Sequence, residues 1–251
     1  MPSYLKKTGF ENTTDANNGP FQQVFDCPGT NFFAYLNEHP FYLSAFGSFM
    51  GASHTRADNW MDRDSLFPVI ECLDKPTDDD RPLLVDVGGG FGSDMRRLLS
   101  NYPELKGKGR VLKQDKAEVI AALNAPSLQA DGIEPQAHDF FAVQPVQGAR
   151  AYHLQGILHD WPDDECVKIL TSLRPALEAG YSKILINELI VANHNAHRTT
   201  TTSDWIMMAL CNGRERTERD FAAILGRAGL KIEKVWQGAP GSEGVIEAVL
   251  E

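Results

Sequence analysis

Pro82-Leu83-Leu84-Val85-Asp86-Val87-Gly88-Gly89-Gly90-Phe91-Gly92 reads as an apolar strand running straight into a tight glycine turn, and Asp94-Met95-Arg96-Arg97-Leu98-Leu99 behind it has helical spacing. Strand, glycine turn and helix open a nucleotide-binding α/β unit, in which small residues let the backbone approach a ligand closely. The spacing separates ligand classes. A dinucleotide fingerprint G-x-G-x-x-G starting at Gly88 needs its third glycine at position 93, which is Ser93. The chain reads G-x-G-x-G, with Asp86 just before the turn. That pattern suits a compact ligand with an amino-acid tail and an adenosine, such as S-adenosylmethionine (SAM), better than a pyrophosphate, and it disfavours a nicotinamide oxidoreductase. A glycine-rich loop that holds no ligand is the plain alternative.

Outward from this unit, apolar runs alternate with helical patterns, which indicates a parallel sheet with crossover helices. Strands are expected at about 82–88, 109–114, 134–139, 150–156, 183–190, 231–237 and 244–250. Helices are expected at about 92–101, 117–124, 164–179, 200–211 and 217–228. Gly238-Ala239-Pro240-Gly241-Ser242 is a hairpin-length connection, so one of the last two strands should run antiparallel. Upstream, Phe41 to Met50 and Trp60 to Leu73 read as helical, and Thr77 to Pro82 as a solvated linker. The expected organisation is a helical, substrate-side segment over 1–80 and a SAM-binding domain over 81–251, with no internal repeat.

Bulk properties narrow the partners. At 251 residues one sizeable core is available. A net charge of −10 with no basic face argues against nucleic acid. No run approaches the ~20 apolar residues of a membrane span, and Met1 to Lys7 lacks the apolar core of a secretory signal. Cys27, Cys72, Cys166 and Cys211 are scattered without a C-x-x-C pair, which fits reduced thiols in a cytoplasmic protein and no zinc site. His194 and His197 lie in a polar loop without nearby ligand residues, so no metal is expected there.

Ligands of open α/β sheets lie beyond the carboxyl ends of the strands. The second strand ends in Gln114-Asp115, about 25 residues after the turn, where a carboxylate can accept from both ribose hydroxyls. The third ends in His138-Asp139-Phe140-Phe141, where Asp139 can accept from an adenine amino group while Phe140 packs on the ring. Either carboxylate alone also suits a helix cap. The fourth strand ends in His159-Asp160-Trp161-Pro162, placing His159 at the mouth of the cleft, although Asp163 and Asp164 equally mark a helix start. Glu188 interrupts the apolar strand Lys183 to Ile190, where a bare charge is costly without a partner. Glu215, in Asn212-Gly213-Arg214-Glu215-Arg216-Thr217, precedes a helix and by itself could be an exposed helix-start carboxylate. Flanking His159, the two acids would fix its ring and favour the imidazolium formed on taking a proton.

DVGGGFG (86–92), HDFFAVQPVQGARAYHLQGILHDWPDDECVKIL (138–170), KILINELIV (183–191) and MMALCNGRERTERDF (207–221) resemble the SAM-dependent O-methyltransferases of plant and fungal secondary metabolism, caffeate O-methyltransferase-like and on the fungal side. The resemblance implies a class I methyltransferase, a Rossmann-like seven-stranded sheet with helices on both faces and a C-terminal antiparallel hairpin. It implies SAM contacts from Gly88, Gly89, Gly90, Asp115, Asp139, Phe140 and Gln155. It makes His159 the general base, oriented by Glu188 and Glu215, and places Met50, Met208 and Asn212 near a small aromatic acceptor, with no metal. Gln155 stands where the family usually has Lys or Arg. The resemblance begins only after the family's N-terminal winged-helix segment, which makes its homodimer, so dimerisation does not carry over. Two other outcomes are a SAM-retaining fold that rearranges or cyclises its substrate, and a pseudoenzyme or partner subunit. Intact His159, Glu188 and Glu215 favour methyl transfer.

Overall fold

A computed structural model of the chain describes residues 2–54 (side chains to Met50), 59–63, 65–74, 81–90 and 93–251. Phe91 and Gly92 of the glycine motif, and residues 75–80 with the expected domain boundary, lie outside the described residues. The N-terminal part forms α1 (Pro2–Lys7), α2 (Pro20–Phe25), α3 (Phe32–Glu38), α4 (Pro40–His54) and α5 (Val69–Leu73). Then come β1 (Pro82–Val87), α6 (Ser93–Asn101), β2 (Arg110–Asp115), α7 (Ala117–Ala122), α8 (Ala125–Ala130), β3 (Ile133–Ala137) and β4 (Ala151–Gln155). The C-terminal half holds α9 (Asp163–Leu173), β5 (Lys183–Val191), α10 (Arg198–Leu210), β6 (Arg216–Thr217), α11 (Glu218–Arg227), β7 (Leu230–Gln237) and β8 (Glu243–Leu250).

The sheet order is β3-β2-β1-β4-β5-β8-β7, with the short β6 paired to β5. β1 to β5 run parallel, and β8 is antiparallel to both β5 and β7, as the short 238–242 connection requires. Edge placement of β3 explains how it tolerates Pro135 within a strand. Alternation along the strands feeds two cores. Tyr152, Leu154, Ile184 and Ile186 pack with Ile169 and Leu170 of α9 and Phe221 and Leu225 of α11 on one face. Leu84, Ala151, Leu185 and Val245 pack with Met95 and Leu98 of α6 and Val69 and Leu73 of α5 on the other. The order reverses between β1 and β4, which opens the crevice that holds the site.

Two local expectations are corrected, and one helix was not expected. The described residues of 60–68 do not continue the helix of 69–73. Asn59 Oδ1 accepts from Met61 N at 2.9 Å and Ser65 Oγ donates to the Trp60 carbonyl at 2.7 Å, so side chains take backbone bonds a helix would need. The helix after β4 stops at Leu173 and passes into a single 3-10 turn at Arg174–Ala176, because Pro175 has no N–H to continue the ladder. α8 escaped the reading: it starts on Asn124, whose Oδ1 accepts from Ser127 N at 3.2 Å, with Pro126 in its first turn.

A buried polar chain runs under the glycine turn. The Trp60 indole N–H donates to His153 Nε2 at 3.3 Å, and His153 Nδ1 lies 2.8 Å from Asp86 Oδ1. Because an indole can only donate, Nε2 accepts and Nδ1 carries the proton that Asp86 receives. On the opposite face Tyr152 is fully buried. Its hydroxyl donates to the Val146 carbonyl at 2.7 Å, accepts from Ala149 N at 3.1 Å and lies 3.0 Å from the Ala176 carbonyl. Tyr152→Phe strands a buried N–H, so the unfolding free energy in urea titration is expected to fall by about 1–3 kcal/mol.

Candidate active site

The glycine turn is pinned to the end of the neighbouring strand. Gly88 N and Gly89 N donate to the Gln114 carbonyl at 2.9 and 3.0 Å. Gly88 and Gly90 have φ of +73° and +55°, a region that favours glycine. A Cβ on Gly88 would lie 2.6 Å from Ile157 Cδ1, with Phe140 Cε1 at 3.6 Å, so Gly88 and Phe140 do come together. Asp115 ends β2 with Oδ2 accepting from Gly90 N and Oδ1 from Lys116 N, both at 2.8 Å. Burial raises its carboxyl pKa, against the Lys113 charge and these two bonds. The same carboxylate thus ties the glycine turn to the backbone that leaves β2. Asp139 is exposed, with Oδ1 accepting from Phe141 N at 3.0 Å. Gln155 ends β4. Its amide nitrogen lies 3.5 Å from Glu243 Oε2, and its buried Oε1 has no hydrogen-bond partner among the described residues. An unpaired acceptor and a cradle that a single Cβ would crowd fit an adenosyl ligand on this edge.

His159 sits in a one-turn 3-10 helix, Leu158–Asp160, just past the end of β4. Its Nδ1 lies 3.0 Å from Glu215 Oε1, which also accepts from Ser203 Oγ at 2.6 Å. Glu188 acts one step back: its Oε1 accepts from the backbone N–H of Leu158 and, at 3.2 Å, from that of His159. Glu215 therefore holds the ring and Glu188 the backbone that carries it. Asp160 Oδ1 stands 3.7 Å from Nε2. The His159 side chain is 21% exposed and that of Glu215 is fully buried, so Glu215 stands on the buried side of the ring.

Electrostatics follow from this enclosure. Burial alone would lower the His159 pKa. The Asp160 charge, the Glu215 hydrogen bond and the charges of Glu188 and Glu215 reverse that and push it up to about 10. Burial raises Glu188 to about 7 against the nearby imidazole, and raises Asp160 as well.

Supporting residues that the motif reading passed over are Arg216, Gly213 and Ser203. Arg216 has no exposed surface; its guanidinium donates to the carbonyls of Leu158 at 2.6 Å and Trp161 at 2.7 Å, and to Asp163 Oδ1. A Cβ on Gly213 would sit 2.0 Å from the His159 carbonyl oxygen. The available signal was the crowding of Gly213, Arg214, Glu215 and Arg216 into four consecutive positions before a helix.

Two of the three acceptor-side residues come together. Met208 and Asn212 line a cleft of about 340 Å³ together with Thr13, Thr14 and Pro162. Asn212 is 2% exposed at φ +58°, and its amide donates to the Ala16 carbonyl at 3.2 Å and Gln22 Oε1 at 3.1 Å, so it ties the N-terminal segment to the end of α10. Met50 lies on α4, the helix that packs against α6. His159, Glu188 and Glu215 also each offer a ligand atom within 4.8 Å of the others, a donor set a divalent cation could share. The second oxygens of both glutamates are buried without hydrogen-bond partners among the described residues.

Comparison with known proteins identifies the family. Residues 71–231 match the O-methyltransferase domain family. The chain is 36% identical to the O-methyltransferase mfmE of Annulohypoxylon moriforme, over all of this chain and 60% of that protein. The crystal structure of OxaC in complex with SAH and oxaline superposes on all of this chain and 62% of that one, with TM-score 0.89 and 32% identity. A structure described as a pericyclic reaction enzyme superposes with TM-score 0.87 and 29% identity, over all of this chain and 63% of that one. The chain therefore spans about 60% of the length of the relative it matches. By matched residues and by identity, it belongs to the O-methyltransferase family.

Proposed function

We propose that the chain carries the catalytic site of a SAM-dependent O-methyltransferase acting on a hydroxyl of a small aromatic metabolite, with His159 as general base. The observation that carries this reading is the imidazole at the strand-four end, held at its ring by Glu215 and at its backbone by Glu188. When bound, SAM supplies an electrophilic methyl group on a sulfonium. Gly88, Gly89, Gly90, Asp115, Asp139, Phe140 and Gln155 would hold it at the carboxyl edge of the sheet, and residues 1–80 with Met208 would face the acceptor. A free phenol has a pKa near 10 and is a weak nucleophile at neutral pH. An imidazole raised to about 10 matches it, so the proton passes between them at little cost. The acids behind the ring stabilise the imidazolium that results. Holding the two reactants in line supplies much of the remaining acceleration.

Calorimetry with SAM, followed by transfer of a labelled methyl group to a panel of phenols, tests both halves of this proposal. Transfer that survives a strong chelator supports the base reading of the His159 cluster, whereas loss on chelation and recovery with a divalent cation would replace it. Binding of SAM without transfer to any phenol would favour a second reading, rearrangement or cyclisation on a SAM-retaining fold, which the likeness to the pericyclic enzyme motivates. Asp115→Ala removes the carboxylate that fastens Gly90 and, in this proposal, would meet the ribose. SAM affinity by calorimetry is expected to fall roughly tenfold or more.

A further inference from the structure

Two neighbouring side chains of α10 hold Glu215 at both its ends. Ser203 Oγ donates to Glu215 Oε1 at 2.6 Å, and Asp204 Oδ1 accepts from the Glu215 backbone N–H at 2.9 Å. Oε1 is the oxygen that lies 3.0 Å from His159 Nδ1, whereas Oε2 is buried without a hydrogen-bond partner among the described residues. The two oxygens of a carboxylate are chemically equivalent. Here the serine hydroxyl decides which of them meets the ring.

Asp204 stands there at a cost. Burial and the Glu215 charge raise its carboxyl pKa, against the bond from the Glu215 N–H and the charges of Arg214 and Arg216. A second acid beside Glu215 therefore needs a reason, and its grip on that N–H supplies one. The helix is a fixed frame for this grip. His197 caps its start, with Nδ1 accepting from Thr199 N at 3.2 Å, and just past its end Asn212 is tied to Ala16 and Gln22. Ser203, Asp204, Met207 and Met208 are i, i+4 pairs on one half-buried stripe, while Trp205 and Ile206 are exposed. Asp204 and Met208 both border the cleft of about 340 Å³, so the stripe that lines this cleft also grips Glu215.

We propose that Ser203 and Asp204 are positioning residues for the base: they fasten Glu215 to α10 and so hold the orientation of the His159 ring. Each acts through Glu215. A reacting group kept in place by a rigid support works faster than one left to wander. The kinetic consequence rests on the reading of His159 as general base; the positioning itself does not.

The test is proton NMR of the full chain without SAM. An imidazole N–H bonded to a carboxylate resonates at low field, and the signal lost in His159→Ala is that of His159. His153, whose Nδ1–H donates to Asp86, gives a second such signal as an internal control. Ser203→Ala and Asp204→Ala are expected to move or erase the His159 signal and leave that of His153 in place. Ser203→Thr, which keeps the hydroxyl, should retain both. In labelled methyl transfer Ser203→Ala should lower kcat about tenfold while KM for the phenol stays within roughly twofold, and Ser203→Thr should rescue the rate. A parent chain without a His159 signal, or a signal unchanged in both alanine variants, overturns the proposal. Loss of the His153 signal in both overturns it too, because the two residues would then hold the fold rather than the base. A parent chain that methylates no phenol sinks the proposed activity and leaves the positioning to be decided by the resonances.

Discussion

His159→Ala is expected to lower methyl transfer to a phenol by a factor of about 10²–10⁴, while SAM affinity stays within roughly twofold. The split follows from where the side chain sits. His159 projects from the turn after β4, its Nδ1 on Glu215, whereas the glycine turn is pinned by the Gln114 carbonyl and the Asp115 carboxylate. Removing the imidazole therefore leaves the adenosyl edge intact. Single-turnover methyl transfer and calorimetry on the same preparation read the two quantities separately. A variant with unchanged turnover would remove His159 from the chemistry.

The same ring sets a pH dependence whose sign can be worked out. With its pKa raised to about 10, His159 is imidazolium at pH 7 in the ligand-free site, and a base must first lose that proton. The reactive form holds one proton between imidazole and phenol, so kcat/KM should climb roughly tenfold per pH unit from neutrality to a maximum near 10 and fall above it. Glu215→Gln removes a charge and weakens the bond that raises the pKa. Its maximum is expected at lower pH, a displacement that a purely structural loss would not produce.

Much of this was legible from the chain because the signals were local and repeated. The glycine turn after an apolar strand, the runs ending in Gln155 and Val191, and the hairpin-length 238–242 connection each map onto an element within a residue or two. His159 and Glu188 were nameable because a histidine at a strand end and a carboxylate inside an apolar strand both need an explanation, whereas Glu215 took its role from the family resemblance. What periodicity cannot show is which atom meets which. Whether Glu188 would grip the ring or the backbone depends on the pitch of one 3-10 turn. Asn212 is a joint to Ala16 and Gln22 across almost two hundred residues, which no window of sequence contains. The turns around Asn59–Met61 and Ser65 were hidden for a related reason: Asn59 and Ser65 look neutral in a helix until their side chains are seen bonding the backbone.

Gly213→Ala should be strongly damaging although it leaves every proposed catalytic side chain in place. The added Cβ would fall 2.0 Å from the His159 carbonyl oxygen and 2.7 Å from the Asp160 carbonyl carbon, both backbone atoms that no rotamer change can clear. Those atoms belong to the turn whose N–H groups Glu188 accepts and whose Leu158 carbonyl Arg216 holds. Either the 212–214 strand of the loop withdraws, carrying Glu215 from Nδ1, or the His159 turn shifts against its own hydrogen bonds. A displacement of about 1 Å at a reacting group costs on the order of 10²-fold in rate, and overpacking adds about 1–3 kcal/mol of lost stability. Gly226→Ala makes the matching control, because a Cβ there meets nothing within 4 Å, and it should leave rate and unfolding midpoint unaltered or slightly improved. Equal turnover in the two variants would show that the backbone of the His159 turn does not set the position of the base.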